Sequence, residues 1–317
     1  MEILKLNPVF KDYIWGGTRL KDDFGFESNL DKLAEGWMLS CHKDGKNTIL
    51  GGTYNNKTLE EVIEQFGKEK ITGTKSLNFP YFPVLIKLID AKDNLSIQVH
   101  PDNDYAQRVE NEFGKTEIWY VLDAEPDATL VYGFKEKITS EEFKKAIENE
   151  TLTDVLNVVN VKKGDLFFIE AGTVHAIGKG TLIAEIQQNS NSTYRVYDYG
   201  RVGNDGKPRE LHIKKAVDVS KTEPAKYDIK PFGEKEDIGG NTAQLLTKCD
   251  LFTVYHYDVK NTLTLKTNEE GFNHVLVLDG NGKINDKDFK KGDSFFIPAN
   301  FGDYEISGDA EIIVTSI

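Results

Sequence analysis

Leu95-Ser-Ile-Gln-Val-His-Pro-Asp102, followed by Gly114-Lys-Thr-Glu-Ile-Trp119, is the stretch whose reading decides the fold. Apolar and polar residues alternate over 95–99, the period of a strand with two unlike faces. Side chains two apart share a face of a strand, so Gln98 and His100 project together while Ile97 and Val99 project the other way. Pro101 has no N–H to offer a neighbouring strand and ends the pairing. A second strand is expected at Glu117-Ile-Trp-Tyr-Val-Leu122, entered through a turn at Phe113-Gly114. A third runs through Gly164-Asp-Leu-Phe-Phe-Ile169 to a glycine turn, Ala171-Gly-Thr-Val-His175. Gln98, His100, Glu117 and His175 then offer an amide oxygen, two imidazoles and a carboxylate. That set suits Zn2+ or a similar divalent ion and leaves positions for water or substrate. The expectation is one Zn2+ per chain inside a small β-barrel. Taken singly, each residue has a plainer account, as a satisfied polar side chain near the end of an apolar strand.

Working outward, the 317 residues suffice for one large domain or two. A net charge of −13 argues against nucleic acid and anionic membranes as partners, since both need a basic face. An anionic substrate would have to be drawn by a local basic cluster working against the global field. Cys41 and Cys249 lie far apart in sequence, which argues against a disulfide framework and for a reduced, cytoplasmic setting. No basic-then-apolar signal segment is seen near the N-terminus, and the apolar run over 81–89 is short and broken by Lys87. In that run, Phe82-Pro-Val-Leu-Ile-Lys-Leu-Ile-Asp90, Lys87 either sits on an edge strand and reaches solvent or meets an anion, because an unpaired buried ammonium is costly. Helices are expected at 58–66 and 139–150, each opened by a hydroxyl followed by glutamates, and a shorter one at 102–113.

Beyond a polar linker at 226–239 the chain is read as short strands and turns, and it echoes the first part. Lys291-Gly-Asp-Ser-Phe-Phe-Ile-Pro-Ala299 repeats Lys163-Gly-Asp-Leu-Phe-Phe-Ile-Glu-Ala171, and Val275-Leu-Val-Leu-Asp279 repeats the end of the Glu117 strand. In this overlay Asn273 stands at the place of Glu117 and Asp303 at that of His175. The fold expected is therefore mainly β: two cupin-like (jelly-roll) barrels with a few short helices and no large helical insertion. Residues 1–225 would form the metal-binding catalytic domain and 240–317 a degenerate copy without metal.

These motifs, with Tyr13-Ile-Trp-Gly-Gly-Thr-Arg-Leu20 before them and Asn191-Ser-Thr-Tyr-Arg-Val-Tyr-Asp-Tyr-Gly-Arg201 after, resemble the type I phosphomannose isomerases in their short bacterial form. The resemblance spans about residues 7–212. It implies a zinc-dependent cupin, with the metal on Gln98, His100, Glu117 and His175. It further implies interconversion of mannose 6-phosphate and fructose 6-phosphate through an enediol. It makes Lys87 a substrate-pocket lysine at the phosphate, Arg195 an active-site arginine, and Glu185 a pocket carboxylate able to carry a proton. Lys115, two before Glu117 and so on the same face of an extended segment, is expected beside the metal, for proton transfer or phosphate binding. Many relatives follow the last histidine with Ala-Tyr, whereas here Ile177 removes that hydroxyl. Two other readings share the fold: a cupin isomerase or lyase of another phosphosugar, and a non-catalytic sugar-phosphate binder. The oligomeric state is not legible.

Overall fold

Apolar periodicity dictates how the sheets stack. In the computed structural model, which describes residues 1–203 and 206–317, strands dominate and no helix among the described residues exceeds nine residues. A six-stranded sheet runs in the order Leu166–Ile169, Glu117–Ala124, Thr181–Gln188, Val84–Ala91, Glu35–Leu39, Val9–Lys11. A five-stranded sheet runs Leu156–Asn160, Thr129–Phe134, His175–Ile177, Ile97–Val99, Tyr194–Tyr197. A ten-stranded sheet gathers every strand from Lys235 onward, together with Leu4–Asn7 and Thr48–Leu50.

The six-stranded sheet is the middle layer. From one face Ile89, Trp119, Val121 and Ile183 pack with Leu130, Tyr132 and Ile177 of the five-stranded sheet. From the other, Ile86, Leu88, Ile118 and Ala184 pack with Leu276, Phe296 and Ile313 of the C-terminal sheet. Both faces being covered, Val84–Ala91 and Thr181–Gln188 are buried along their whole lengths and read as unbroken apolar runs. Lys87 therefore lies on a central strand, between Glu185 and Trp37 in register, and the edge-strand alternative is excluded.

The expected helices form as Leu59–Phe66, Asn103–Glu110 and Ser140–Glu148. The first and last open with reciprocal caps, Thr58 with Glu61 and Thr139 with Glu142, which satisfy free backbone N–H groups. Thr139→Ala should cost about 1 kcal/mol, read as a lower urea midpoint at unchanged slope.

The C-terminal echo repeats in register. Ile169 pairs with Glu117, and Ile297 pairs with Asn273. Val121 N–H donates to the Asp165 carbonyl at 3.0 Å, and Val277 N–H to the Asp293 carbonyl at 2.9 Å. In the second copy Asn273 Nδ2 donates to the Tyr304 hydroxyl at 2.8 Å, and Asp303 is exposed. The carboxylate's place is taken by a neutral amide tied to a phenol. His274 Nε2 lies 2.7 Å from Ser294 Oγ, which in turn donates to the Met38 carbonyl, so it cross-links the two halves.

The halves also share backbone. Leu4–Asn7 lies between Ser294–Ile297 and Thr48–Leu50 in the C-terminal sheet, and Lys235–Asp237, within the expected linker, forms its edge strand. Glu311 of this sheet is held at a pKa of about 2 by the hydrogen bond from His256, against burial, with Lys163 adding to the effect. A carboxylate with a depressed folded pKa stabilises above its unfolded value and loses that contribution as pH falls through the folded one. Glu311→Gln should thus flatten the acid limb of the stability profile between about pH 4.5 and about 2. Among the described residues no helix is long and apolar enough to cross a membrane.

Candidate active site

Two rows of side chains face each other between the middle and five-stranded sheets. Across the middle sheet, register places Trp37, Lys87, Glu185 and Trp119 side by side. Across the five-stranded sheet it aligns His175, Gln98 and Arg195. Glu117 lies two residues before Trp119 on the same face, and His100 just past the end of the Gln98 strand, where its carbonyl accepts from Gly172 N–H at 2.8 Å. Gly114 sets the entry to Glu117: a Cβ there would collide with the Asp102 backbone, so only glycine lets this turn close and deliver Lys115.

His100, Glu117 and His175 are fully buried and bring their ligand atoms within 4.8 Å of one another. His100 Nδ1 lies 2.9 Å from the Ser192 carbonyl and His175 Nδ1 2.8 Å from the Thr173 carbonyl. A carbonyl only accepts, so both rings carry the proton on Nδ1 and turn their Nε2 lone pairs inward, where the Lys115 ammonium donates to His100 Nε2 at 3.1 Å. Those two lone pairs meet at 3.1 Å, with Glu117 Oε1 3.5 Å from one and Oε2 3.7 Å from the other. Neither Glu117 oxygen has a hydrogen-bond donor, although the Lys115 ammonium sits 2.7 Å from Oε2, off hydrogen-bond line. The Lys115 ammonium meets two of these acceptors, and neutral imidazoles with a buried carboxylate are also the donor chemistry of a divalent metal. Gln98 Nε2 lies 3.5 Å from His175 Nε2, and a half-turn of its amide brings the oxygen to the same point. Burial holds His175 down to about 3 and His100 well below the ordinary value, keeping both rings neutral.

Charges alternate away from this point. Lys115 is 3.9 Å from Glu185 Oε1, Glu185 Oε1 is 3.1 Å from Lys87, and Lys87 is 3.7 Å from Glu35. Three carboxylates against two ammoniums leave one negative charge on this buried chain. Burial pushes Glu117 up, and the Glu185 carboxylate adds to this. Glu185 resists the same burial because Lys115 and Lys87 pull it well below the usual range, so it stays ionised. Trp119 and Trp37 fix the middle and far carboxylates, donating from Nε1 to Glu185 at 3.0 Å and to Glu35 at 2.7 Å.

A cleft of about 250 Å³ opens on these groups. Lys87, Lys115, Arg195 and Arg209 line it against Glu35 and Glu185, giving a locally basic recess in an acidic protein. Arg195 donates from Nη1 to the Glu210 carbonyl at 2.8 Å, and its buried Nε–H has no acceptor. Arg209 is anchored by Asp198 at 2.7 Å. Ile177 lines the same cleft, so the wall is apolar where a tyrosine would add a hydroxyl. All of the residues singled out in the sequence thus gather at one place. Glu35 and Arg209 were missed: Glu35 could have been found as an acid on a buried apolar strand, whereas Arg209 lies in a polar loop without periodicity.

Comparisons with known proteins agree with this geometry. The sequence model "Phosphomannose isomerase type I, catalytic domain" matches residues 3–154, and "Mannose-6-phosphate isomerase, cupin domain" matches 241–317. His175, Glu185 and Arg195 fall between those spans, but full-length relatives cover them. Mannose-6-phosphate isomerase ManA of Bacillus subtilis is 38% identical over 100% of this chain and 99% of its own. The mannose-6-phosphate isomerase of Streptococcus mutans is 35% identical over 99% and 98%. The crystal structure of the Bacillus subtilis mannose 6-phosphate isomerase superposes with a TM-score of 0.90 at 36% identity, covering 100% of both chains. With relatives this similar along its whole length, and with the buried histidines and glutamate meeting at one point, the chain belongs to the type I phosphomannose isomerase family.

Proposed function

We propose that the protein interconverts mannose 6-phosphate and fructose 6-phosphate, with one Zn2+ held by Gln98, His100, Glu117 and His175. The observation that carries this reading is the pair of histidine Nε2 atoms 3.1 Å apart beside the buried Glu117 carboxylate, next to a basic cleft that Gln98 and Lys115 line. A divalent cation there supplies Lewis acidity to the sugar oxygens that gain charge as the enediol forms.

The protein's own groups do the rest. Lys115 and Glu185 carry the C1/C2 proton: they are 3.9 Å apart, buried, and on the cleft side of the metal-site residues. Glu185 is ionised and able to accept, and Lys115 is an ammonium able to donate. Lys87 holds Glu185 in place and adds positive charge for the substrate anion. Arg195, with an unused Nε–H and a guanidinium that stays charged, binds a substrate oxyanion. Gripping the phosphate sets the reacting carbons against the Lys115–Glu185 pair. In architecture, the middle and five-stranded sheets are read as one cupin-like barrel, and residues 240–317 as its metal-free counterpart.

The test is a coupled assay with mannose 6-phosphate before and after complete chelation. Turnover lost on chelation and restored by Zn2+ is expected, whereas turnover unaffected by metal removal overturns the reading. In deuterated solvent, the shuttle predicts label at C1/C2, and Glu185→Gln should slow that exchange by about 10²–10⁴-fold.

A further inference from the structure

A second cleft, larger than the catalytic one, lies on the other side of the 189–193 segment. Its volume is about 420 Å³, and it shares no lining residue with the catalytic cleft. Asn189 faces this second cleft, whereas Asn191 and Thr193 of the same segment line the first. The remaining walls come from the hairpin at 41–46, the helices Leu59–Phe66 and Lys68–Thr72, and the stretches 80–82 and 111–113.

Three features of these walls point to a ligand. Three lysines, Lys43, Lys46 and Lys68, outnumber two glutamates, Glu60 and Glu112. Lys46 is paired with Glu60 and Lys43 with Glu112. Lys68 has no carboxylate partner among the described residues: its ammonium donates to the carbonyls of Phe79 and Tyr81. Burial also pulls its pKa down, as expected for a cation short of a counter-ion. Tyr81, 45% exposed, meets Phe113 edge-on at 5.5 Å between ring centres and offers a free aromatic face. Asn189 is 92% buried and its side-chain oxygen has no donor, an arrangement that costs about 1–3 kcal/mol until one is supplied. An anionic group for Lys68, a flat ring for Tyr81 and Phe113, and a donor for Asn189 together describe one kind of molecule.

We propose that this cleft binds a planar aromatic anion of the nucleoside monophosphate class, and that the 189–193 segment relays its occupancy to the metal site. The relay is short. Glu112 accepts from Ser192 Oγ at 3.1 Å while pairing with Lys43, and the Ser192 carbonyl fixes His100 through Nδ1. An anion that draws Lys43 away from Glu112 loosens the hold on Ser192 and so on the imidazole.

Calorimetry on the Zn2+-loaded protein tests this with AMP, adenosine and inorganic phosphate. AMP should bind with a Kd below about 1 mM, and each fragment at least about tenfold more weakly. Lys68→Met should weaken AMP about tenfold and leave adenosine unchanged. Tyr81→Ala, at an exposed position, should weaken both. Arg195→Ala should leave AMP binding intact. Saturating AMP should change the Kd for Zn2+, measured by competition with a chelator, by about fivefold or more. No heat with AMP at about 10 mM overturns the site. Loss of AMP binding in Arg195→Ala, or its displacement by mannose 6-phosphate, would place the nucleotide in the catalytic cleft and also overturn it. An unchanged Zn2+ affinity overturns the relay.

Discussion

His100→Ala is expected to lose bound metal and turnover together, with kcat/KM falling at least about 10³-fold, about 4 kcal/mol of transition-state stabilisation. Removing this ring takes away one of the two converging Nε2 lone pairs and leaves Glu117 facing a single imidazole, so a cation there would lose one of its nitrogen ligands. Arg195→Ala separates the two quantities. Arg195 hydrogen-bonds to the Glu210 carbonyl and to no metal-site residue, so that variant should keep its metal and lose rate. Metal content by elemental analysis, taken on both purified variants beside the coupled assay, reads the difference. A His100 variant with full metal content, or an Arg195 variant with near-normal turnover, would refute the assigned roles.

Lys87→Met should be the most destabilising of the conservative changes in the cleft, by about 3–5 kcal/mol at neutral pH. The ammonium is 4% exposed and lies between Glu185 and Glu35, with the Trp37 ring 5.4 Å away. Removing it leaves two buried carboxylates with too little positive charge, and Glu185 then depends on Lys115 at 3.9 Å. The pH dependence changes as well. In the parent protein Glu185 has a depressed pKa, so its contribution is present above its unfolded value and fades as the solution is acidified through the folded one. Lys87→Met leaves only Lys115 and the Trp119 hydrogen bond to oppose burial, so Glu185 should shift upward; to the extent that it passes its unfolded value, stability is regained as pH falls. The urea midpoint should therefore fall further at pH 7 than at pH 5.5 on going from the parent to the variant. Adding Glu185→Gln to Lys87→Met should recover part of the loss, because it removes the unpaired charge itself.

The gathering of His100, Glu117 and His175 was legible in the sequence because strand periodicity assigns faces without knowledge of partners. Gln98 and His100, Lys115 and Glu117, and Glu185 in its apolar run each announced a side by position alone. The helix caps at Thr58 and Thr139 and the register of the C-terminal echo were equally local signals, and Asn273 does stand opposite Ile297 as Glu117 stands opposite Ile169. Other features needed the third dimension. Whether Lys87 met solvent or an anion depended on which strands flank it, a long-range pairing that no local pattern carries. Arg209 is placed by its ion pair with Asp198 in a loop, where alternation has no meaning. The sharing of Leu4–Asn7 with the C-terminal sheet was hidden for the same reason: a four-residue apolar strand does not name its neighbours.

That shared strand bears on how the chain is made. Lys5 and Asp293, 288 positions apart, form an ion pair beside it. At about 5–20 residues per second, roughly 15–60 s separate synthesis of one from synthesis of the other. During that interval the strand can pair with Thr48–Leu50 on one side, while the side that meets Ser294–Ile297 waits without a template. Ribosome-bound intermediates should therefore expose a sticky edge until Ser294–Ile297 emerges. Closure of that side of the ten-stranded sheet therefore waits on its C-terminal strands.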